Sequence, residues 1–138
     1  MAMIMKMENK EPVKVENFSR IEKYLRSLKS YGPCSYAILE NGDGSYIQVA
    51  GGRVTCVLEL REKQEGRHLR AYLPIPHVCY TGEQTVMCGA GNITMQPDEI
   101  LFIDDVVSAF RAFFEQTSFP SNIKWRDMSH VLDAPSPP

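Results

Sequence analysis

Three histidines, four cysteines and a run of acids are the side chains of this 138-residue sequence whose types suit chemistry beyond packing. His68 falls at a polar position of an alternating segment, His77 in a proline-bounded stretch and His130 near the C-terminus. None stands in a motif that pairs it with a nucleophile or an orienting acid, so a solvated histidine is the plainer reading. His77-Val78-Cys79 with Cys88 offers half a zinc site but lacks the paired knuckle of a structural zinc centre. Asp98, Glu99, Asp104 and Asp105 have the chemistry for a divalent cation, yet carboxylates that open a helix more often cap it and oppose its dipole. Gly89-Ala90-Gly91 has no strand-to-helix context for a phosphate cradle. The His-x-Glu and Pro-Cys-x-x-Cys signature of zinc deaminases is missing. The sequence therefore predicts no catalytic residue, no metal and no cofactor, and a hydrolase built on His68, His77 and the acids ranks last among three readings.

Charge and cysteine usage narrow the class further. Fifteen Lys and Arg against seventeen Asp and Glu give a net charge of −2, against the basic surplus of a nucleic-acid binder. The total hides an asymmetry: residues 1–32 carry seven basic and four acidic side chains, whereas Ala71 to Phe110 holds five acids and no Lys or Arg. That stretch reads as an acidic region. Cys34, Cys56, Cys79 and Cys88 occupy apolar-patterned positions, which predicts reduced core thiols. No apolar run is long enough to span a membrane, and Lys6 interrupts the N-terminal Met-rich stretch too early for a signal peptide, so the expected address is cytoplasmic.

The elements that must carry these residues follow from periodicity. Residues 1–16 read as a mobile tail. Phe18, Ile21, Tyr24, Leu25 and Leu28 recur at helical spacing, with either Asn17 or a Ser19/Glu22 box as the cap. Cys34–Glu40, Ser45–Ala50, Arg53–Arg61 and a run with Leu69, Ala71 and Leu73 alternate with period two. They are joined through Asn41-Gly42-Asp43-Gly44, Gly51-Gly52 and Gln64-Glu65-Gly66. Such strands predict an antiparallel meander with one wet face. Two weaker strands are expected near Thr85–Cys88 and Gly91–Met95. Ile103, Val106, Val107, Phe110, Phe113 and Phe114 make one helical stripe that must pack on the sheet, and Ile123-Lys124-Trp125 closes the domain. The expected fold is α+β: four to six antiparallel strands packed on one face by an N-terminal and a C-terminal helix. It forms a single domain over residues 17–132, followed by a disordered Pro-rich tail over 133–138.

With chemistry thin, the surface becomes the candidate. The polar sheet face interleaves aromatic and charged side chains, as recognition surfaces do. The residues expected to touch a partner are Asn41, Asp43, Tyr46, Tyr72, Tyr80, Glu83, Asp98 and Glu99.

Ile100-Leu101-Phe102-Ile103, the run Val106 to Phe114, Phe119-Pro120 and Ile123-Lys124-Trp125 together resemble a bacterial immunity family. These are the small antidotes of polymorphic-toxin systems, notably those that neutralise nucleic-acid deaminase toxins. Ser45 to Val49 and Val54 to Leu58 are similar to that family's early hairpin. The resemblance implies a protein that binds a cognate toxin and blocks its active site, touching neither nucleic acid nor membrane, monomeric or homodimeric when free. It supplies scaffold residues, Phe110, Phe113, Phe114 and Trp125, rather than contact residues. An acidic inhibitor would complement the basic groove of such a toxin. The alternative is a small-ligand or peptide-binding adaptor on the same sheet face.

Overall fold

Period-two alternation begins earlier than the sequence suggests. Met3, Met5 and Met7 are buried while Ile4 and Lys6 face the other way, and Met3–Met7 forms strand β1. Val13–Val15 (β2) returns antiparallel, with Val13 opposite Met5. The tail expected over residues 1–16 is thus corrected to a hairpin. Its first strand also pairs with β3 (Tyr36–Glu40) on its other side, so it lies inside the sheet. Methionine has no strong β preference, which hid the strand, and its unbranched thioether fills irregular core space well. The structure, a computed structural model, describes residues 3–29, 34–53, 55–78, 82–88 and 91–129. Cys79, Tyr80, His130 and the Pro-rich end at 133–138 lie outside the described residues.

Helix α1 spans Phe18–Arg26, and its cap is Asn17, whose Oδ1 accepts from the Arg20 N–H at 3.2 Å. The meander follows: β3, then β4 (Tyr46–Gly52), β5 (Thr55–Glu62) and β6 (Arg67–Tyr72), each antiparallel to its neighbour. Gly51-Gly52, expected as a turn, instead extends β4. Gly52 pairs with Thr55, and the reversal passes through Arg53 in the left-handed region at φ 60°. Gly52 is there for closeness: a Cβ on it would sit 2.3 Å from the Leu28 carbonyl oxygen. Helix α2 spans Ile103–Glu115, and the closing strand β9 (Lys124–Asp127) pairs with β6.

The main sheet therefore has seven strands in the order β2-β1-β3-β4-β5-β6-β9, more than the four to six expected. The class is α+β as predicted, with both helices against the sheet face that Ala37, Leu39, Ile47, Val49, Leu58 and Leu60 present. Phe110 is fully buried there, while Phe113, Phe114 and Trp125 pack at the margin. No described helix is long and apolar enough to cross a membrane.

The opposite face departs from the expected single wet surface. Gln84–Cys88 (β7) and Gly91–Met95 (β8) form a separate antiparallel hairpin that contacts β4 and β5. Ala50 and Val57 on the sheet meet Met95 and Ile100 in a second small apolar core, edged by Tyr36, Val78 and Ile93. A continuous apolar run through Cys56-Val57-Leu58 is the sequence trace of a strand buried on both faces at that point.

Candidate functional site

Strand pairing puts Gln48 opposite Glu59, Glu59 opposite Arg70 and Arg70 opposite Arg126, all on the sheet face away from the helices. Four successive strands thereby line up one row of polar side chains. Gln48 Nε2 donates to Glu59 Oε1 at 2.8 Å, and Arg70 Nε donates to Glu59 Oε2 at 2.9 Å. Arg70 also reaches the Thr94 carbonyl at 2.9 Å and Glu99 Oε1 at 3.4 Å. Arg126 donates to Glu99 Oε2 at 2.6 Å and to Asp98 Oδ2 at 3.0 Å, and its guanidinium lies 4.5 Å from the Tyr72 ring centroid. The row is buried at its centre: Glu59 is 8 %, Arg70 7 % and Glu99 2 % exposed. Its bonds cross from the sheet to the hairpin and to the short 3₁₀ turn Pro97–Glu99, so it fastens the second layer down. The Asp98 carboxylate raises the pKa of Arg126, with Glu99 adding to the effect and partial burial opposing it.

Beside this row, between sheet and hairpin, lies an open groove of about 310 Å³ lined by Tyr36, Ile38, Gln48, Val57, Glu59 and Ile93 among others. A second cavity of about 460 Å³ sits toward Thr55, Val78, Met95 and Phe102. His68 occupies the same face, with Nε2 buried and 3.8 Å from Glu59 Oε1, beyond hydrogen-bond reach.

The sequence-predicted contact residues fare unequally. Asn41 and Asp43 build the β3–β4 turn: Asn41 Oδ1 accepts from the Asp43 and Ser45 N–H groups at 3.0 and 3.1 Å, and Asp43 Oδ1 accepts from Ser45 at 2.8 Å. That backbone donor pulls the Asp43 carboxyl below its ordinary pKa, so an exposed anion is held at the turn. Tyr46 is half-buried on the open face opposite Arg61, and Glu83 is exposed just before β7. Tyr72 carries the stacked Arg126. Tyr80 lies outside the described residues.

Asp98 and Glu99 require a correction. Instead of forming a free acidic patch they neutralise Arg126 and Arg70, and Glu99 has almost no surface to offer. Asp104 and Asp105 are likewise engaged, with Arg26 at 2.9 Å and His77 at 2.7 Å. Four of the five acids over 71–110, Asp98, Glu99, Asp104 and Asp105, thus pair with basic side chains. Gln48, Glu59 and Arg70 stand on the polar sheet face that the alternation predicts, but Glu59 and Arg70 are buried where exposure was expected, and their joining into one row was not foreseen. Their signal is in the sequence, as polar positions at one register on consecutive strands, but it becomes readable only once the pairing is known.

His77 belongs to a strap that leads to the start of α2. Its ring stacks on Phe102 at 4.0 Å and its Nε2 meets Asp105 Oδ2, which also accepts the Phe102 N–H at 3.0 Å and so starts α2. Leu73 N–H to the Asp98 carbonyl, 2.8 Å, holds the other end of this loop, whose Ile75 is 86 % exposed between Pro74 and Pro76. Cys34 and Cys56 are free thiols in the core, and burial drives the Cys56 pKa up to about 12. Among the described residues no group of three His, Cys, Asp or Glu side chains comes together as a metal site. No family model matches the chain, and no curated protein matches it.

Proposed function

We propose that this chain is an immunity protein: it binds one cognate bacterial toxin that acts on nucleic acid, of the deaminase kind, and covers the toxin's active site with the sheet face opposite the helices. The observation that carries this reading is the pre-formed groove beside a locked row of ion pairs. A surface whose polar groups are already fixed loses little freedom when a partner docks, which favours tight, stoichiometric occlusion. The helix-to-Trp125 unit, which suggested the family, packs as one piece, with Phe119 against Trp125 at 4.9 Å. Long-range attraction to a basic toxin falls to exposed Asp43 and Glu83 in place of buried Glu99.

Co-expression with the toxin encoded beside this gene tests the reading. The expected result is restored growth and a stable one-to-one complex; neither rescue nor complex would overturn it. Charge reversal by Asp43→Lys is expected to slow association at low salt while leaving dissociation nearly unchanged. The groove also favours a second reading, a small-ligand adaptor, which thermal stabilisation by a metabolite with no protein partner present would support.

A further inference from the structure

Gln48 and Glu59 are the charged or amide members of an otherwise largely apolar groove, and both present acceptors. Gln48 commits its Nε2 to Glu59, so its amide has an oxygen left to offer. Glu59 Oε2 takes Arg70, while Oε1 takes Gln48 and has His68 Nε2 only at 3.8 Å, short of filling a carboxylate oxygen's capacity. Behind them Glu59, Glu99 and Asp98 face Arg70 and Arg126, with Arg61 two residues along β5 on the same face. Apolar walls ending in acceptors complement a long side chain that ends in a cation. The groove's 310 Å³ is ample for one such chain, since a cavity of roughly 150 Å³ already holds a benzene-sized guest.

We infer that this groove receives one arginine or lysine side chain of the bound toxin. Its methylene stem lies along Ile38, Val57 and Ile93, and its head donates to Glu59 Oε1 and the Gln48 amide oxygen. The inference rests on the toxin-binding reading above and names the chemistry of the contact. A protein that acts on nucleic acid carries such side chains in its substrate groove, where they meet phosphate. Sequestering one here removes a phosphate contact as well as covering the site.

The test begins with the purified chain and two probes of matched length, n-butylguanidinium and pentanoate, followed by amide NMR. Butylguanidinium is expected to shift signals of Ile38, Gln48, Val57 and Ile93 with an affinity on the order of millimolar, as suits a fragment of its size. Pentanoate at the same concentration is expected to shift none of them. Gln48→Leu, which keeps the bulk and removes the acceptor, is expected to weaken the guanidinium probe about fivefold, with unchanged far-ultraviolet circular dichroism. In the toxin complex, Gln48→Leu and the groove-filling Ala50→Leu are each expected to lower affinity about tenfold or more. No shift with either probe, or pentanoate binding as well as butylguanidinium, overturns the inference. So does a bound probe with toxin affinity unchanged in both variants, which would make the groove a small-cation site. Failure of the wild-type chain to rescue growth removes the toxin reading instead, and leaves the probe result standing on its own.

Discussion

The two faces of the central sheet are both covered, and by opposite means. Toward the helices, the sheet meets α1 and α2 through one continuous apolar core in which Phe110, Ile21, Leu25, Leu39 and Leu58 exclude water. Toward the hairpin, a small apolar cluster around Val57 and Met95 gives way to the row Gln48–Glu59–Arg70–Glu99–Arg126–Asp98. An apolar core is stabilised wherever area is buried and tolerates volume-conserving exchange. A buried ion-pair row is different: its net contribution to stability is modest, but removal of one member strands a charge. The helix face holds the fold together, and the hairpin face fixes side-chain positions beside a groove. The second is what a recognition surface needs.

Paired substitutions probe that contrast at its strongest point. Phe110→Ala in the helix-side core is expected to cost about 3–5 kcal/mol through lost transfer energy and a residual cavity. Glu99→Ala is expected to cost a similar amount, about 3–5 kcal/mol, for the separate reason that Arg70 and Arg126 lose their shared carboxylate. Urea denaturation measures both. If Glu99→Ala cost less than about 1 kcal/mol, as an exposed pair would, the row would not be a buried structural unit.

The N-terminal strand belongs to the helix-side core. Met5→Ala is expected to destabilise by about 2–5 kcal/mol in the same assay, where a residue in a mobile tail would give nothing.

The helix side also excludes charge, and Cys56 reports it. Its thiol titrates near 9 in the unfolded chain and at about 12 in the folded one, because burial disfavours the thiolate and Asp105 adds repulsion. Below pH 9 both states keep the proton and the contribution is intact. Between pH 9 and 12 the unfolded state alone ionises, so this group lowers the folding equilibrium constant up to about tenfold per pH unit. Cys56→Ala is expected to flatten that alkaline slope relative to the parent chain.

The smallest effect is expected outside both layers. Asp104 is 84 % exposed in its ion pair with Arg26, and Asp104→Asn is expected to leave the melting temperature within error.

What the sequence disclosed depended on how local each signal was. The α2 stripe, the Asn41–Ser45 turn and the alternation from β3 to β6 are local patterns, and the structure carries each of them close to its expected place. Strand β1 was hidden because its five residues include three methionines and a lysine, which carry little β preference. The hairpin-side core was hidden because a second cover over β4 and β5 arrives from residues 84–95, a relation no local window contains. The candidate site was legible as a polar sheet face and in Tyr72, Asp98 and Glu99, but its burial and its pairing were not. Asp98 and Glu99 looked like surface because acids usually are, and their partners Arg70 and Arg126 lie about thirty positions away in the chain.

Isoleucine methyl NMR of the chain bound to the proposed toxin tests the proposed recognition face directly, because isoleucines mark both sides of the sheet. Ile38 and Ile93 line the groove, whereas Ile21 and Ile103 belong to α1 and α2. Large shifts at Ile38 and Ile93 with Ile21 and Ile103 unmoved are the predicted result. Shifts confined to Ile21 and Ile103, with the groove signals unchanged, would contradict it and place the contact on the helices.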